Sequence, residues 1–254
     1  MAIEIFTRKE QKYLITIEQY EELVKRMSSN MRPDKYGNEG FYTVTSLYFE
    51  SPDNQIYFET KNKLKFRQKL RLRVYDETDL NGDAFFEVKQ KHKKVVNKRR
   101  MVLPLAEAYR YLSSHTEGYI GDYETSNIQV FKEIDHFRHL YNLQPEMIVS
   151  YDRRAFHGRN NPELRLTFDF NLRCRNDDLF LENGSYGDYF IDQSLVVLEV
   201  KVNHSVPLWL TRILQDLECE QRSASKYCTS FEQLKETTEQ QKLLKENVLI
   251  GGSV

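Results

Sequence analysis

The chain has 254 residues, with 37 basic against 38 acidic side chains and a formal net charge of −1. That balance excludes a whole-surface field that would draw in a polyanion, so any anion site must come from local segregation of charge. Mean hydropathy of −0.66 with 40% hydrophobic residues reads as a soluble globular protein, and the absence of any run of 18 apolar residues excludes a transmembrane helix candidate.

The N-terminus, MAIEIFTRKEQKYLI, has no basic stretch followed by an apolar run and a cleavage site, so no secretory signal is expected. A first strand is predicted over Ile3 to Ile15, and Thr16 can cap a helix over Ile17 to Met27. Strands are predicted over Thr43 to Glu50, Phe66 to Tyr75 and Ala84 to Lys91, with a turn at Pro52-Asp53-Asn54 and another at Asn81-Gly82-Asp83. Helices follow from Leu105 to Leu112 and from Ile128 to about Tyr141, ending before Pro145. Further strands are predicted over Met147 to Phe156, Glu163 to Leu172 and Ser194 to Val202. Pro207 opens a short helix in which Trp209 reads as a core anchor, and Ser225 caps a final helix running to about Glu246, whose Leu234, Leu243 and Leu244 could pack on the exterior or a partner. No internal repeat or linker divides the chain, so residues 1–254 are expected to form a single domain.

Side chains of equal parity share one face of a strand. In Phe66 to Tyr75, Arg67, Lys69, Arg71, Arg73 and Tyr75 lie on one face, and Phe66, Gln68, Leu70, Leu72 and Val74 on the other. The pattern recurs in Glu87, Lys89 and Lys91, in Glu199 and Lys201, in Arg165, Thr167 and Asp169, in Arg8, Glu10 and Lys12, and in Tyr151 and Arg153. Two architectures fit: an open sheet with its charged face to water, or a closed barrel with the charged face inside. A dry interior could not hold so many unpaired ions, whereas a wet tunnel holding an anionic ligand could.

These residues also carry a family resemblance. Arg8 to Ile15, Ser46 to Glu50, Lys69 to Tyr75, Glu87 to Lys91, Tyr151 to Phe156, Leu164 to Asp169, Leu198 to Lys201 and Ser225-Lys226-Tyr227 run in the order found in the polyphosphate polymerase (VTC) domain of the triphosphate tunnel metalloenzyme superfamily, which the chain resembles over residues 8 to 227. The resemblance implies an α+β fold, an antiparallel β-barrel tunnel with helices packed outside and a long C-terminal helix. It implies that Lys12, Arg71, Arg73, Lys89, Arg153, Arg165, Lys201 and Lys226 line the tunnel and handle phosphates, and that Glu199 binds a metal, Mn²⁺ or Mg²⁺. Glu10, Lys69, Lys91, Lys98, Tyr48, Tyr151 and Ser225 are further substrate-binding candidates, Lys98 from the basic segment after the Glu87-Val88-Lys89 strand. Where hydrolytic and cyclase relatives open with ExExK, this chain has Arg8 in place of the first glutamate, which fits the polymerase branch.

The expected activity is transfer of the ATP γ-phosphoryl group to a growing inorganic polyphosphate chain, with guanidinium forks gripping phosphate oxygens. A metal-dependent triphosphatase or polyphosphatase and a non-catalytic polyphosphate-binding module are the alternatives. There is no GxxxxGK[ST] segment, so the nucleotide would be held through its phosphates rather than by a P-loop. The six histidines show no metal spacing, and the basic run at Lys91 to Arg100 is not expected to bind nucleic acid. Three cysteines, Cys174, Cys219 and Cys228, without CxxC spacing suggest reduced thiols and a cytoplasmic setting.

Overall fold

A computed structural model describes residues 9–93, 95–114, 120–222 and 225–251, with side chains up to residue 240. Arg8 and the rest of the expected strand start, Lys94, His115, and the side chains of Leu243 and Leu244 lie outside the described residues.

The elements in chain order are β1 (Lys9–Thr16), α1 (Ile17–Met27), β2 (Met31–Pro33), β3 (Phe41–Glu50), α2 (Gln55–Lys61), β4 (Phe66–Tyr75), β5 (Asp83–His92), β6 (Val95–Pro104), α3 (Leu105–Ser113), α4 (Ile128–Leu140), β7 (Gln144–Gly158), β8 (Arg165–Arg175), β9 (Asp188–Tyr189), β10 (Leu195–Val202), α5 (Leu208–Asp216), β11 (Glu220–Gln221) and α6 (Lys226–Gly251). All strands belong to one antiparallel sheet in the order β11-β1-β10-β8-β7-β3-β4-β5-β6, with β2 on β7 and β9 on β8. Backbone pairing does not join β6 to β11 among the described residues, so the enclosure expected from the sequence comes from curl rather than a closed hydrogen-bond ring.

Strand alternation decides the two faces. The outward side chains of β1, β8 and β10 (Ile15, Leu166, Phe168, Val196, Leu198, Val200) pack with Leu23 and Met27 of α1 and Leu210 and Leu214 of α5, with Trp209 lying partly buried against this cluster. Those of β4 and β5 (Leu70, Leu72, Val74, Phe86, Val88) join a larger cluster with Leu105 and Tyr111 of α3 and Phe131 and Ile134 of α4. Helices therefore cover the outside, and the charged parity is left inside. Thr16 caps α1 as its position suggests: its hydroxyl accepts from the Gln19 amide at 3.2 Å, and the Gln19 side chain accepts from the Thr16 amide at 2.8 Å.

Several elements depart from the sequence reading. β6 falls where only a basic segment was expected, and α2 follows directly on the Pro52-Asp53-Asn54 turn. α2 has no side-chain cap of its own; Asn54 takes a left-handed conformation (φ 59°), and buried Glu50 accepts from the amides of Ser51, Ile56 and Tyr57 at 2.8–2.9 Å. The Tyr227 hydroxyl donates to the same carboxylate, so Glu50 ties the end of β3, the start of α2 and the first turn of α6 together. The turn into β3 needs glycine at position 40 (φ +80°), where a Cβ would lie 2.5 Å from the Ala155 carbonyl oxygen.

Glu50→Ala leaves three amide donors and a buried phenol without their acceptor. It is expected to lower unfolding stability by about 2–3 kcal/mol in denaturant titrations, with Glu50→Gln less damaging because one acceptor oxygen remains.

Candidate active site

The curl brings cations from seven strands and the start of α6 into one interior. Glu10 and Lys12 point inward from β1, Tyr48 from β3, Lys69, Arg71 and Arg73 from β4, Lys89 and Lys91 from β5, and Lys98 from β6. Tyr151 and Arg153 of β7, Arg165 of β8 and Glu199 and Lys201 of β10 share this side, and Ser225 and Lys226 enter at the N-terminus of α6. Strands distant in sheet order face one another here: Lys89 on β5 feels the charges of Glu10 and Lys12 on β1 and Glu199 on β10.

Three ammonium groups converge on Glu199. Its Oε1 lies 3.0 Å from Lys12 Nζ and 3.2 Å from Lys226 Nζ, and its Oε2 lies 2.8 Å from Lys201 Nζ. Burial would raise this carboxyl, but Lys201, Lys226 and Lys12 hold it well below the ordinary carboxylate range. Lys12 also reaches Glu10 at 3.3 Å. Beside this group, fully buried Asp169 accepts from Arg153 Nε at 2.6 Å and Arg153 Nη2 at 2.9 Å, and pairs with Lys226 at 2.6 Å. Despite its burial the Lys226 ammonium is held well above its usual value by Asp169 and Glu199.

A second centre forms on β4, β5 and β6. Arg71 Nε donates to Glu87 at 2.5 Å, Arg73 lies 3.8 Å from the same carboxylate, and Lys98 pairs with its other oxygen. Arg71 also donates to the Tyr48 hydroxyl at 3.3 Å, and Arg73 to Ser46 at 3.0 Å and Tyr151 at 3.2 Å. Burial raises the Tyr48 phenol, but Arg71 and Arg73 outweigh it and bring it down to about 8.

In the remaining lysines burial and like charge outweigh the carboxylates. Lys69 donates to the Ser225 hydroxyl at 3.2 Å and sits 4.4 Å from the centre of the Tyr227 ring; burial, with Lys89 and Lys12 adding to it, lowers it to about 8. Lys89 is lowered by burial and by Lys12. Lys98 keeps 43% of its side chain open to water, and desolvation by the surrounding protein together with Arg71 takes it to about 7 although Glu87 pulls the other way. Thr167, opposite Glu199 in register and fully buried, carries a hydroxyl with no hydrogen-bond partner among the described residues.

All the sequence-derived candidates thus lie on one side of the sheet, though not equally. Lys98 belongs to the Glu87 group through its ion pair. Arg165 sits toward one end, donating to Asp34 at 3.0 Å and to Tyr42 at 3.1 Å, and Lys91 is half-buried near the other. Ser225 both accepts from Lys69 and caps α6 through the Cys228 amide at 3.4 Å. Asp169 and Asp34 were not among the candidates; Asp169 shares the parity of Arg165 and Thr167, and that was the available signal. Arg99 of the basic run points outward to Glu133.

The metal expectation on Glu199 meets a donor set dominated by cations. Among the described residues no three carboxylate, histidine or cysteine side chains group as a metal site. Both Glu199 oxygens engage ammonium groups, and Asp169 is committed to Arg153 and Lys226. A hard cation fits here only if phosphate oxygens complete its shell, with Glu199 as protein ligand and Glu10, itself paired with Lys12, the neighbouring carboxylate.

The sequence matches the VTC domain family over residues 7–235. The chain belongs to the VTC domain family. The fold of this VTC domain is also that of a Bacillus halodurans protein provisionally named an adenylate cyclase, with a TM-score of 0.52 at 16% identity over 87% of this chain and 94% of that one. Two further similar structures are a provisionally named Hippeastrum adenylyl cyclase described as having a dominant triphosphatase activity (TM-score 0.45, 14% identity, 88% and 94% covered) and a Pyrococcus horikoshii protein (TM-score 0.44, 11% identity, 89% and 99% covered). No curated protein sequence matches the chain.

The lowered lysines make a prediction about pH. A polyanion stabilises the ammonium form, so Lys69 and Lys98, at about 8 and about 7 in the free protein, take up protons when one binds. Calorimetry of inorganic tripolyphosphate binding in buffers of different ionisation enthalpy should show proton uptake between pH 7 and 9, with affinity falling as pH rises through that window. Heats independent of buffer would show these amines already charged.

Proposed function

We propose that this VTC domain is a phosphotransferase that moves the γ-phosphoryl group of ATP onto inorganic polyphosphate within the cation-lined interior. One observation carries the reading: inward cations outnumber inward carboxylates, and those carboxylates are already engaged by neighbouring cations, so the interior is built for a polyanion. The cations also surround the interior: Arg165, Lys201, Arg153, Lys226, Arg73, Arg71, Lys69 and Lys89 come from strands on different sides of it, and Lys89 lies within the field of Glu10, Lys12 and Glu199 across from its own strand. That many cations around one space support several phosphates rather than one isolated group.

Phosphoryl transfer asks for in-line positioning and neutralisation of equatorial charge. Arg71, Arg73 and Arg153 suit the gripping role because each is fixed by a carboxylate, serine or tyrosine, so its fork is oriented before substrate arrives. Lys12, Lys201 and Lys226 can exchange part of their hold on Glu199 for phosphate oxygens. Mg²⁺ or Mn²⁺ arriving with the phosphates would be held by Glu199, with Glu10 nearby, and would supply further charge neutralisation. The same cradle with water as acceptor gives a triphosphatase. The clustering of ammonium groups around Glu199 favours a phosphate-rich acceptor, since it raises the local concentration of anionic chain ends.

The test is incubation with ATP and Mn²⁺ followed by chain-length analysis of the phosphate products. Long chains with ADP are expected; free phosphate without chains would replace the transferase with a hydrolase. Arg71→Ala, Lys12→Ala and Glu199→Ala should each lower kcat/KM by about a hundredfold or more, the scale of removing one preorganised donor. Wild-type rates in all three would refute the site. Polyphosphate binding without ATP turnover, unaffected by Glu199→Ala, would identify a binding module.

A further inference from the structure

The interior side of β3, β4 and β5 changes character toward the end where Arg165 lies. Tyr42 pairs in register with Arg153, Tyr75 with Val44, and Phe85 with Arg73, so all three rings lie on the cation-bearing side. They form a continuous wall, with centroids 5.9 Å apart for Tyr42 and Tyr75 and 5.3 Å for Tyr75 and Phe85, each pair meeting edge to face. Leu72, Val74 and Phe86, on the opposite face of the same strands, are fully buried, whereas Tyr42, Tyr75 and Phe85 are only half-buried.

Guanidinium groups border this wall. Arg73 lies 5.9 Å from the Tyr75 ring centre and Arg100 5.1 Å from that of Phe85, while Arg165 donates to the Tyr42 hydroxyl at 3.1 Å. Flat apolar surface and phosphate-gripping cations are therefore contiguous, two residues apart along β4 from Tyr75 to Arg73. A bare phosphate chain is charged along its whole length and gains nothing from half-exposed aromatic carbon. A nucleoside triphosphate has one apolar, planar end and one polyanionic end, which matches this juxtaposition.

We infer that Tyr42, Tyr75 and Phe85 form a nucleobase subsite, with the triphosphate of the same ligand running inward over Arg73 and Arg71. The inference rests on the phosphate-binding reading of the interior and adds to it the feature that distinguishes a nucleotide from polyphosphate. The nearby carboxylate, Asp34, is engaged by Arg165 and His157, so stacking area rather than base-edge hydrogen bonding sets the preference. Purines are favoured over pyrimidines, with little distinction between adenine and guanine.

The experiment is calorimetric titration of the wild type and of Tyr75→Leu and Phe85→Leu with ATP, CTP and inorganic tripolyphosphate in one buffer. Leucine keeps the apolar volume and removes the flat ring, and tripolyphosphate affinity reports whether each variant retains a working interior. The quantity read is the ratio of ATP to tripolyphosphate affinity, expected to fall about tenfold in each variant, the scale of one base stacked on one ring. CTP should bind the wild type more weakly than ATP. An unchanged ratio, or parallel loss of both ligands, overturns the subsite while leaving the phosphate reading in place. Failure of the wild type to bind tripolyphosphate at all overturns both.

Discussion

The interior depends on carboxylates that hold like charges close together. Lys12 and Lys226 both contact Glu199 Oε1, at 3.0 and 3.2 Å, so their nitrogens are no more than about 6 Å apart, a repulsion of about 3 kcal/mol at an effective dielectric of 20. Glu199 offsets that repulsion, Asp169 does the same between Arg153 and Lys226, and Glu87 does so between Arg71, Arg73 and Lys98. Each of these carboxylates is buried and serves two or three cations. Removing one uncovers a cluster of charges rather than breaking a single pair, and the damage spreads accordingly.

This arrangement also sets what the interior can bind. The protein's own carboxylates are too few to neutralise the cations, and burial with neighbouring cations leaves Lys69 at about 8 and Lys98, despite its pair with Glu87, at about 7. Folding tolerates this because the sheet's outer parity buries two apolar clusters against helices. Water reaches the inner parity and solvates part of the excess charge. A bound polyanion would complete the neutralisation, so affinity arises from a deficit present in the free fold.

Much of this was legible in the sequence, because period-two alternation was strong where the site is strong. β4 spans Phe66–Tyr75 as predicted, since five inward polar positions alternate without a break with mostly apolar ones. The same logic failed at β6, where Lys98-Arg99-Arg100 reads as an undivided basic run; Lys98 and Arg100 in fact face inward, while Arg99 turns out to Glu133. α2 escaped notice because it is seven residues long and its capping acceptor, Glu50, lies before the turn. Asp169 was visible in the parity of Leu164 to Phe170, but nothing in one strand reveals that a carboxylate will be clamped between an arginine on the preceding strand and a lysine at a helix start. The first pairing depends on register between strands and the second on where the final helix docks, and both are properties of the assembled fold.

The first turn of α6 joins these levels. Ser225, Lys226 and Tyr227 are consecutive, yet each meets a different part of the molecule: Ser225 meets Lys69 of β4, Lys226 meets Asp169 and Glu199 of β8 and β10, and Tyr227 meets Glu50 at the end of β3. The Tyr227 ring also packs against Tyr48 of β3 at 5.3 Å, which fixes the helix against the sheet, and against Phe231 one turn along the same helix at 6.1 Å. Strands that are not neighbours in the sheet, β4 with β8 and β10, are thereby linked through one helical turn. A helix N-terminus bearing a lysine would in isolation be an exposed anion contact of modest strength. Anchored by the buried Glu50–Tyr227 contact, it becomes a fixed cation facing two carboxylates, and the geometry of the Glu199 centre follows in part from a hydrogen bond made one residue along the helix.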